Sequence, residues 1–184
     1  MTPKTRASAQ KESIALVGLR GCGKTTVGRI LAGHLKLPHV DTDELVVAAA
    51  GRAIAEIFAS EGEAGFRELE KKAVERAVAL SPAVISLGGG ALSDPSSAAM
   101  IRCAATVVWL TAEPDVLWQR IARDPSSPTR RPSLTPLPGL DELRRFSAQR
   151  EPMYRALADF ILDTQEKEPL AIAHDIAHFL EGIS

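Results

Sequence analysis

The chain has 184 residues, of which 45% are hydrophobic and 24% are charged, and its net charge is −1 at pH 7. This size and composition are typical of one globular domain with a substantial core. The near-neutral charge excludes a general attraction to nucleic acid or to an anionic membrane, and no apolar run approaches the roughly 20 residues of a membrane-spanning helix. Cys22 and Cys103 are too few for a disulfide framework, so a reducing, cytoplasmic setting is expected.

Residues 1–12 differ in character from the rest of the chain. They contain Lys4, Arg6 and Lys11 but no apolar segment, which favours a flexible tail over a targeting peptide. Residues 13–184 contain no internal repeat and no linker, so we expect them to form a single domain.

Five apolar runs predict β-strands, and helical patterns separate them. The runs are Ile14–Val17, His39–Val40, Ala83–Leu87, Ala105–Leu110 and Asp159–Leu162. This alternation indicates βα units and a mostly parallel sheet. Two helices have a clear apolar face, the second beginning near Pro169. These faces comprise Phe66, Leu69, Ala73, Ala77 and Leu80 in the first helix, and Ile172, Ile176, Phe179 and Leu180 in the second.

The first predicted strand leads directly into a glycine-rich loop. Gly18 to Thr25 match the pattern G-x-x-x-x-G-K-[ST], and apolar residues at helical spacing follow. In such a loop the backbone N–H groups bind phosphate, the lysine reaches the β- and γ-phosphates, and the threonine hydroxyl ligates Mg²⁺. A glycine turn without function is the alternative, but strand, loop and helix occur in the order that phosphate binding requires. The predicted ATP-binding residues here are Gly21, Cys22, Gly23, Lys24, Thr25 and Thr26.

Two acids follow the second strand, at the edge of a parallel sheet where ligands bind. Asp41 and Asp43 lie two positions apart and point the same way if the strand continues through them. Alternatively, Asp41 caps the next helix, with Glu44 completing a capping box. Both functions can coexist, because capping occupies only one carboxylate oxygen.

Glycines and arginines supply the remaining candidates. The third strand ends in Gly88-Gly89-Gly90, which is either a simple turn or a place where a ligand approaches the backbone closely. Arg67 has Glu63 and Glu70 at helical spacing, the pattern of a solvated ion-pair ladder. From spacing alone, surface positions are favoured for both Arg67 and Arg150.

Residues 124–139 are rich in proline and contain Arg130 and Arg131. A loop of this length in a compact domain usually has a function. We predict a mobile lid over the nucleotide.

Together these motifs resemble, in order, those of the shikimate kinase family, and the resemblance covers nearly the whole chain. They are the phosphate-binding loop, Asp41-Thr42-Asp43, Gly62-Glu63-x-x-Phe66-Arg67-x-x-Glu70, Gly88-Gly89-Gly90, Arg131-Pro132 and Arg150-x-Pro152-x-Tyr154. The resemblance implies an α/β, three-layer P-loop NTPase fold, in which helices flank a five-stranded parallel sheet. It also implies a substrate-binding helical region at about 42–80 and a lid at about 124–139.

The resemblance implies roles for individual residues. Lys24, Asp43 and Arg131 would be catalytic, with Asp43 on the acceptor hydroxyls and Arg131 brought to the phosphoryl group by the lid. Thr25 and Asp41 would hold Mg²⁺. The implied shikimate-binding residues are Asp43, Arg67, Gly88, Gly89, Gly90 and Arg150.

Three features depart from the family pattern. Ser133-Leu134 replaces the usual pair of leucines after the lid arginine. Relatives often place an arginine against adenine after the last strand, where only Lys167 is available here. Leu19-Arg20 resembles the shikimate-kinase-like domains that are fused to regulators of aromatic catabolism, although those tend to lose the two aspartates.

The expected function is ATP-dependent phosphorylation of shikimate to shikimate 3-phosphate, in aromatic amino acid biosynthesis, by a cytoplasmic monomer. One alternative is a kinase for another small hydroxy acid, such as gluconate. The other is a non-catalytic domain that senses a ligand, which would be expected to have lost Lys24, Asp43 or Arg131. The sequence retains all three.

Overall fold

The computed structural model describes residues 11–123 and 139–182. Most of the predicted tail and all of the predicted lid except Gly139 therefore lie outside the described residues. No helix within the described ranges combines the length and the apolarity needed to cross a membrane.

The described residues form one parallel sheet of five strands in the order β2-β3-β1-β4-β5. The strands are β1 (Ser13–Val17), β2 (His39–Asp41), β3 (Val84–Ser86), β4 (Ala105–Thr111) and β5 (Phe160–Asp163). All five predicted strands are thus confirmed, with small shifts at their ends. Every residue of β1 is buried, as expected for a central strand that is covered on both faces.

Helices connect the strands and flank the sheet. They are α1 (Lys24–Leu35), α2 (Thr42–Ala50), α3 (Ile54–Ala79), α4 (Pro95–Ala104), α5 (Pro114–Arg123), α6 (Gly139–Leu157) and α7 (Pro169–Gly182), with a 3₁₀ turn at Ala91–Ser93. Helix α1 packs against α7, α3 against α4, and α5 against α6. The last helix begins at Pro169, as predicted.

Helices α2 and α3 share a small apolar cluster next to the main core. It consists of Val46, Ile54, Ile57, Phe66 and Ala73. A glycine with φ of 68°, Gly62, kinks α3 between its two halves. The predicted apolar face of α3 is wrong at one position: Leu80 lies beyond the last turn and is 48% exposed.

The beginning of α1 is held tightly against the sheet. The Ser86 hydroxyl donates to the backbone oxygen of Lys24 at 3.0 Å and lies 3.0 Å from Nε2 of His39. Burial lowers the pKa of His39, so the imidazole in this contact is neutral near pH 7. A Cβ atom at Gly28 would approach Ser86 Oγ to 2.7 Å and His39 Nε2 to 2.8 Å. Only glycine at this position allows α1 to lie so close to β2 and β3.

We predict that Gly28→Ala lowers the free energy of unfolding by about 1–3 kcal/mol, because the new methyl group overpacks this contact. Gly33→Ala is the matched control in the same helix, since nothing lies within 4 Å of the position of its Cβ atom. The control should gain up to about 1 kcal/mol from helix propensity. Urea unfolding measures both variants, and equal stabilities would contradict the proposed packing constraint.

Candidate active site

The loop between β1 and α1 curls at the carboxyl edge of the sheet. Gly18, Gly21 and Gly23 have φ of 138°, 84° and 95°, a region that favours glycine. A cavity of about 760 Å³, here called the P-loop cavity, lies in front of the loop. Its lining includes the predicted phosphate-binding residues Gly21, Gly23, Lys24, Thr25 and Thr26. The side chain of Cys22, by contrast, is buried below the loop.

The lysine of the loop is anchored to the loop itself. The ammonium group of Lys24 donates to the carbonyl oxygens of Gly18 at 2.8 Å and Leu19 at 2.9 Å. It also lies 3.6 Å from Sγ of Cys22, and Lys24 is only 4% exposed. These contacts hold its positive charge beside the loop, where phosphate groups of a nucleotide would lie.

Asp41 performs two tasks at the end of β2. One carboxylate oxygen accepts a hydrogen bond from the Thr25 hydroxyl at 2.7 Å, and the other accepts from the backbone N–H of Asp43 at 3.0 Å. The second bond caps α2, which confirms the capping alternative for Asp41. The capping box is wrong in its other half, because the Glu44 carboxylate accepts instead from Arg29 at 2.7 Å.

Asp43 does not continue the strand. It lies in the first turn of α2, so the strand alternation considered for the two acids does not apply. Asp41 lines only the P-loop cavity. Asp43 lines both this cavity and a smaller one of about 80 Å³. We call the smaller one the arginine cavity; its charged lining residues are Arg20, Asp43, Arg67, Glu70, Glu142 and Arg150.

Arg67 makes the ion-pair ladder that its spacing predicts, but one end of the ladder is buried. Its guanidinium group lies 3.0 Å from the exposed Glu63 carboxylate and 2.6 Å from Glu70, which is 4% exposed. Burial raises the pKa of Glu70, and the facing Arg67 only partly opposes this shift. Burial alone would lower the pKa of Arg67, yet the two glutamates raise it overall. The ladder therefore orients Arg67 into the arginine cavity instead of into solvent.

Arg150 is buried, contrary to the surface position favoured by its spacing. Its guanidinium group donates to the carbonyl oxygen of Gly89 at 2.9 Å and lies 4.1 Å from the Phe146 ring. The Tyr154 hydroxyl donates to the same oxygen at 2.5 Å, and burial raises the pKa of Tyr154 well above its usual range. The arginine and the tyrosine of the Arg-x-Pro-x-Tyr motif thus fix the glycine turn from one side.

The three glycines after β3 have different positions in the site. Gly89 and Gly90 line the arginine cavity, whereas Gly88 lies beneath it and donates its N–H to the Thr42 hydroxyl at 2.8 Å. A Cβ atom at Gly90 would collide with the guanidinium group of Arg67. Glycine at Gly90 is therefore needed for Arg67 to occupy the cavity.

A cation that the sequence analysis missed lines the P-loop cavity. Arg120 donates to the Thr164 hydroxyl at 3.0 Å, to the backbone oxygen of Thr164 at 2.5 Å and to that of Gln165 at 3.2 Å. Lys167, the residue proposed for adenine, is not among the lining residues, and its ammonium group pairs with Asp175 at 2.6 Å. The sequence signal for Arg120 was weak, because its partners are 44 and 45 residues away. Arg131 lies outside the described residues.

Comparisons with known proteins agree with this geometry. A family model described as shikimate kinase matches residues 20–181. The shikimate kinase of Rhodopirellula baltica is 44% identical over 85% of this chain and 83% of its own, and that of Symbiobacterium thermophilum is 44% identical over 84% and 95%. A solved structure, shikimate kinase from Acinetobacter baumannii in complex with shikimate, superposes with a TM-score of 0.87 at 31% identity, covering 94% of each chain.

Both the sequence matches and the fold match extend over most of the chain. The predicted P-loop kinase fold is confirmed. This chain belongs to the shikimate kinase family.

Proposed function

We propose that this protein transfers the γ-phosphoryl group of ATP to a hydroxyl group of shikimate, giving shikimate 3-phosphate for aromatic amino acid biosynthesis. The observation that carries the proposal is that the P-loop cavity and the arginine cavity adjoin at Asp43. A phosphate donor and a carboxylate-bearing acceptor thus have neighbouring sites with a carboxylate between them. The shikimate kinase relatives, and the shikimate in the Acinetobacter baumannii complex, support the identity of the acceptor.

The arginine cavity suits a small hydroxy acid. Guanidinium groups bind carboxylates bidentately, and Arg67 and Arg150 both line this cavity. Each is already oriented, Arg67 by Glu70 and Arg150 by the carbonyl oxygen of Gly89. The acceptor carboxylate therefore binds to side chains that need little reorganisation.

The transfer itself depends on positioning and on charge. Asp43 orients the acceptor hydroxyl and takes its proton as the new phosphorus–oxygen bond forms. Lys24 stabilises negative charge on the phosphates. We assign the same task to Arg131, by its place in the family motif.

Thr25 and Asp41 fit a Mg²⁺ ion. Their side-chain oxygens lie 2.7 Å apart in the P-loop cavity, and hard oxygen ligands together with phosphate oxygens are what Mg²⁺ prefers. When bound, the ion neutralises charge on the phosphates. Thr25, in the first turn of α1, and Asp41 would hold the ion together.

Arg120 replaces Lys167 as the proposed adenine contact. Its planar guanidinium group is fixed by the segment after β5 and lines the P-loop cavity. An arginine held in this way can stack on an aromatic base.

A coupled assay of ADP formation with shikimate, quinate and gluconate as acceptors tests the proposal. Turnover should require shikimate and exceed turnover with the other two acids. Faster turnover with gluconate would show that gluconate, and not shikimate, is the acceptor. Binding of shikimate without turnover would indicate a ligand-sensing domain.

We predict that Asp43→Asn lowers kcat about 10²–10⁴-fold, because an amide cannot accept the hydroxyl proton. The affinity for ATP, measured by calorimetry, should change little. If the variant keeps more than half of the wild-type kcat, Asp43 does not take the hydroxyl proton.

Two substitutions separate the tasks of Asp41. Asp41→Asn can keep the cap on α2 but lacks the negative charge, so it should raise the Mg²⁺ concentration needed for half-maximal activity while stability is preserved. Asp41→Ala should in addition lose about 0.5–2 kcal/mol of stability with the cap. Mg²⁺ titration and urea unfolding provide the two measurements. An unchanged Mg²⁺ requirement in Asp41→Asn would show that Asp41 only caps the helix.

We predict that Arg67→Ala raises the KM for shikimate about ten- to a hundredfold and the KM for ATP much less, because it removes a charge-assisted contact with the acceptor carboxylate. Arg76→Ala is the matched control, an exposed arginine of the same helix. Steady-state kinetics with each substrate varied in turn make the comparison. Similar KM values for both variants would mean that the Arg67 ladder is structural only.

A further inference from the structure

The P-loop cavity and the arginine cavity share a boundary that any transferred group must cross. Three residues line both cavities: Arg20, Asp43 and Ile54. Asp43 is the acid proposed for the acceptor hydroxyl, and Ile54 is apolar. Arg20 therefore supplies the positive charge at this boundary.

The other cations of the site each line one cavity. Lys24 lines the P-loop cavity, whereas Arg67 and Arg150 line the arginine cavity. Among the described residues, Arg20 is thus the one cation that lines both. Its place in the loop, between Leu19 and Gly21, puts it on the rigid element that cradles the phosphates.

A buried acid lies beside the Arg20 side chain. A terminal nitrogen of Arg20 lies 3.9 Å from Oε2 of Glu142, in the first turn of α6, and their side chains are 19% and 1% exposed. The contact is longer than the 2.6 Å between Arg67 and Glu70. A guanidinium group has five N–H donors in a planar fork, so an ion pair with this acid is compatible with donation to a phosphate group.

We propose that Arg20 is a further catalytic residue, which binds the phosphoryl group during its transfer, and that Glu142 is the positioning residue for its guanidinium group. The inference rests on the proposed kinase function. The bond between the γ-phosphorus and the oxygen of ADP breaks, its electron pair stays with ADP, and a bond to the acceptor oxygen forms. The hydroxyl proton goes to Asp43. Arg20 exchanges no proton; it donates hydrogen bonds to the non-bridging oxygens of the phosphoryl group, whose charge must be balanced throughout.

A contact that forms with the migrating group affects kcat more than binding. Arg20→Leu should therefore lower kcat about ten- to a hundredfold, the range for a lost hydrogen bond to a charged group. The KM for shikimate and the calorimetric Kd for ADP should stay within about threefold of wild type, because neither ligand contains the transferred group. Arg20→Lys should recover part of the lost kcat, since lysine restores the positive charge but not the planar, bidentate donors of the guanidinium group.

Arg144→Leu is the matched control, since it removes an arginine of α6 whose surface partner is Asp115, at 3.2 Å. It should leave kcat unchanged. Glu142→Gln should lower kcat less than Arg20→Leu and should add little in the double variant, because the acid acts through Arg20. The double variant, which removes both charges, also serves if Arg20→Leu alone fails to fold beside the buried carboxylate.

Three results would overturn the assignment. A kcat of Arg20→Leu, or of the double variant, within twofold of wild type would show that Arg20 only links the loop to α6. A raised KM for shikimate at unchanged kcat would assign Arg20 to the acceptor carboxylate. Equal kcat values for Arg20→Lys and Arg20→Leu would exclude a role of its charge. Wild-type turnover is measured first: its absence with all acceptors overturns the kinase function as well, whereas normal wild-type turnover confines the failure to Arg20.

Discussion

The carboxylate of Asp41 connects the two halves of the site, and the geometry of both depends on it. One of its oxygens accepts from Thr25 in the first turn of α1, and the other accepts from the backbone of Asp43 in the first turn of α2. Helix α1, which follows the glycine-rich loop, and helix α2, which carries Asp43, are therefore fixed to a single side chain at the end of β2. Their partial positive ends also face this carboxylate, which adds favourable electrostatics.

The sheet supplies the constraint that makes this connection possible. In a parallel sheet, β1, β2 and β3 all end at the same edge, so the P-loop, Asp41 and the triple glycine meet there although they are far apart in the sequence. The close packing of Gly28 against Ser86 and His39 determines how near α1 lies to the sheet at this edge. Packing below the site thereby determines where the backbone N–H groups of the glycine-rich loop lie.

Local sequence patterns predicted the elements well, because apolar strand runs, glycine loops and helix caps are each formed by residues that are neighbours in the chain. All five strands, the start of α7 and the cap at Asp41 follow from residues close together in the chain. The misassigned features depend on partners from other elements. Arg150 is buried against Gly89, which lies 61 residues away in the sequence. The Glu44 carboxylate accepts a hydrogen bond from Arg29 of α1 and not from the N-terminus of α2. Spacing along a helix gives no information about such partners, so Arg120 and the Arg20–Glu142 pair could not be found from sequence pattern alone.

The charges of the arginine cavity are arranged so that burial does not leave them uncompensated. A buried charge without a partner strongly destabilises the folded state. Each buried guanidinium group therefore needs a partner within the protein before any ligand binds. Glu70 accepts from Arg67 and the carbonyl oxygen of Gly89 accepts from Arg150, whereas the Glu142 carboxylate lies 3.9 Å from Arg20 as an ion-pair partner. None of these acceptors uses all five donors of a guanidinium group. Arg67 and Arg150 can therefore keep these contacts and still donate to an incoming anion. The raised pKa of Glu70 reflects the same balance, because its burial is opposed only in part by the arginine that it orients.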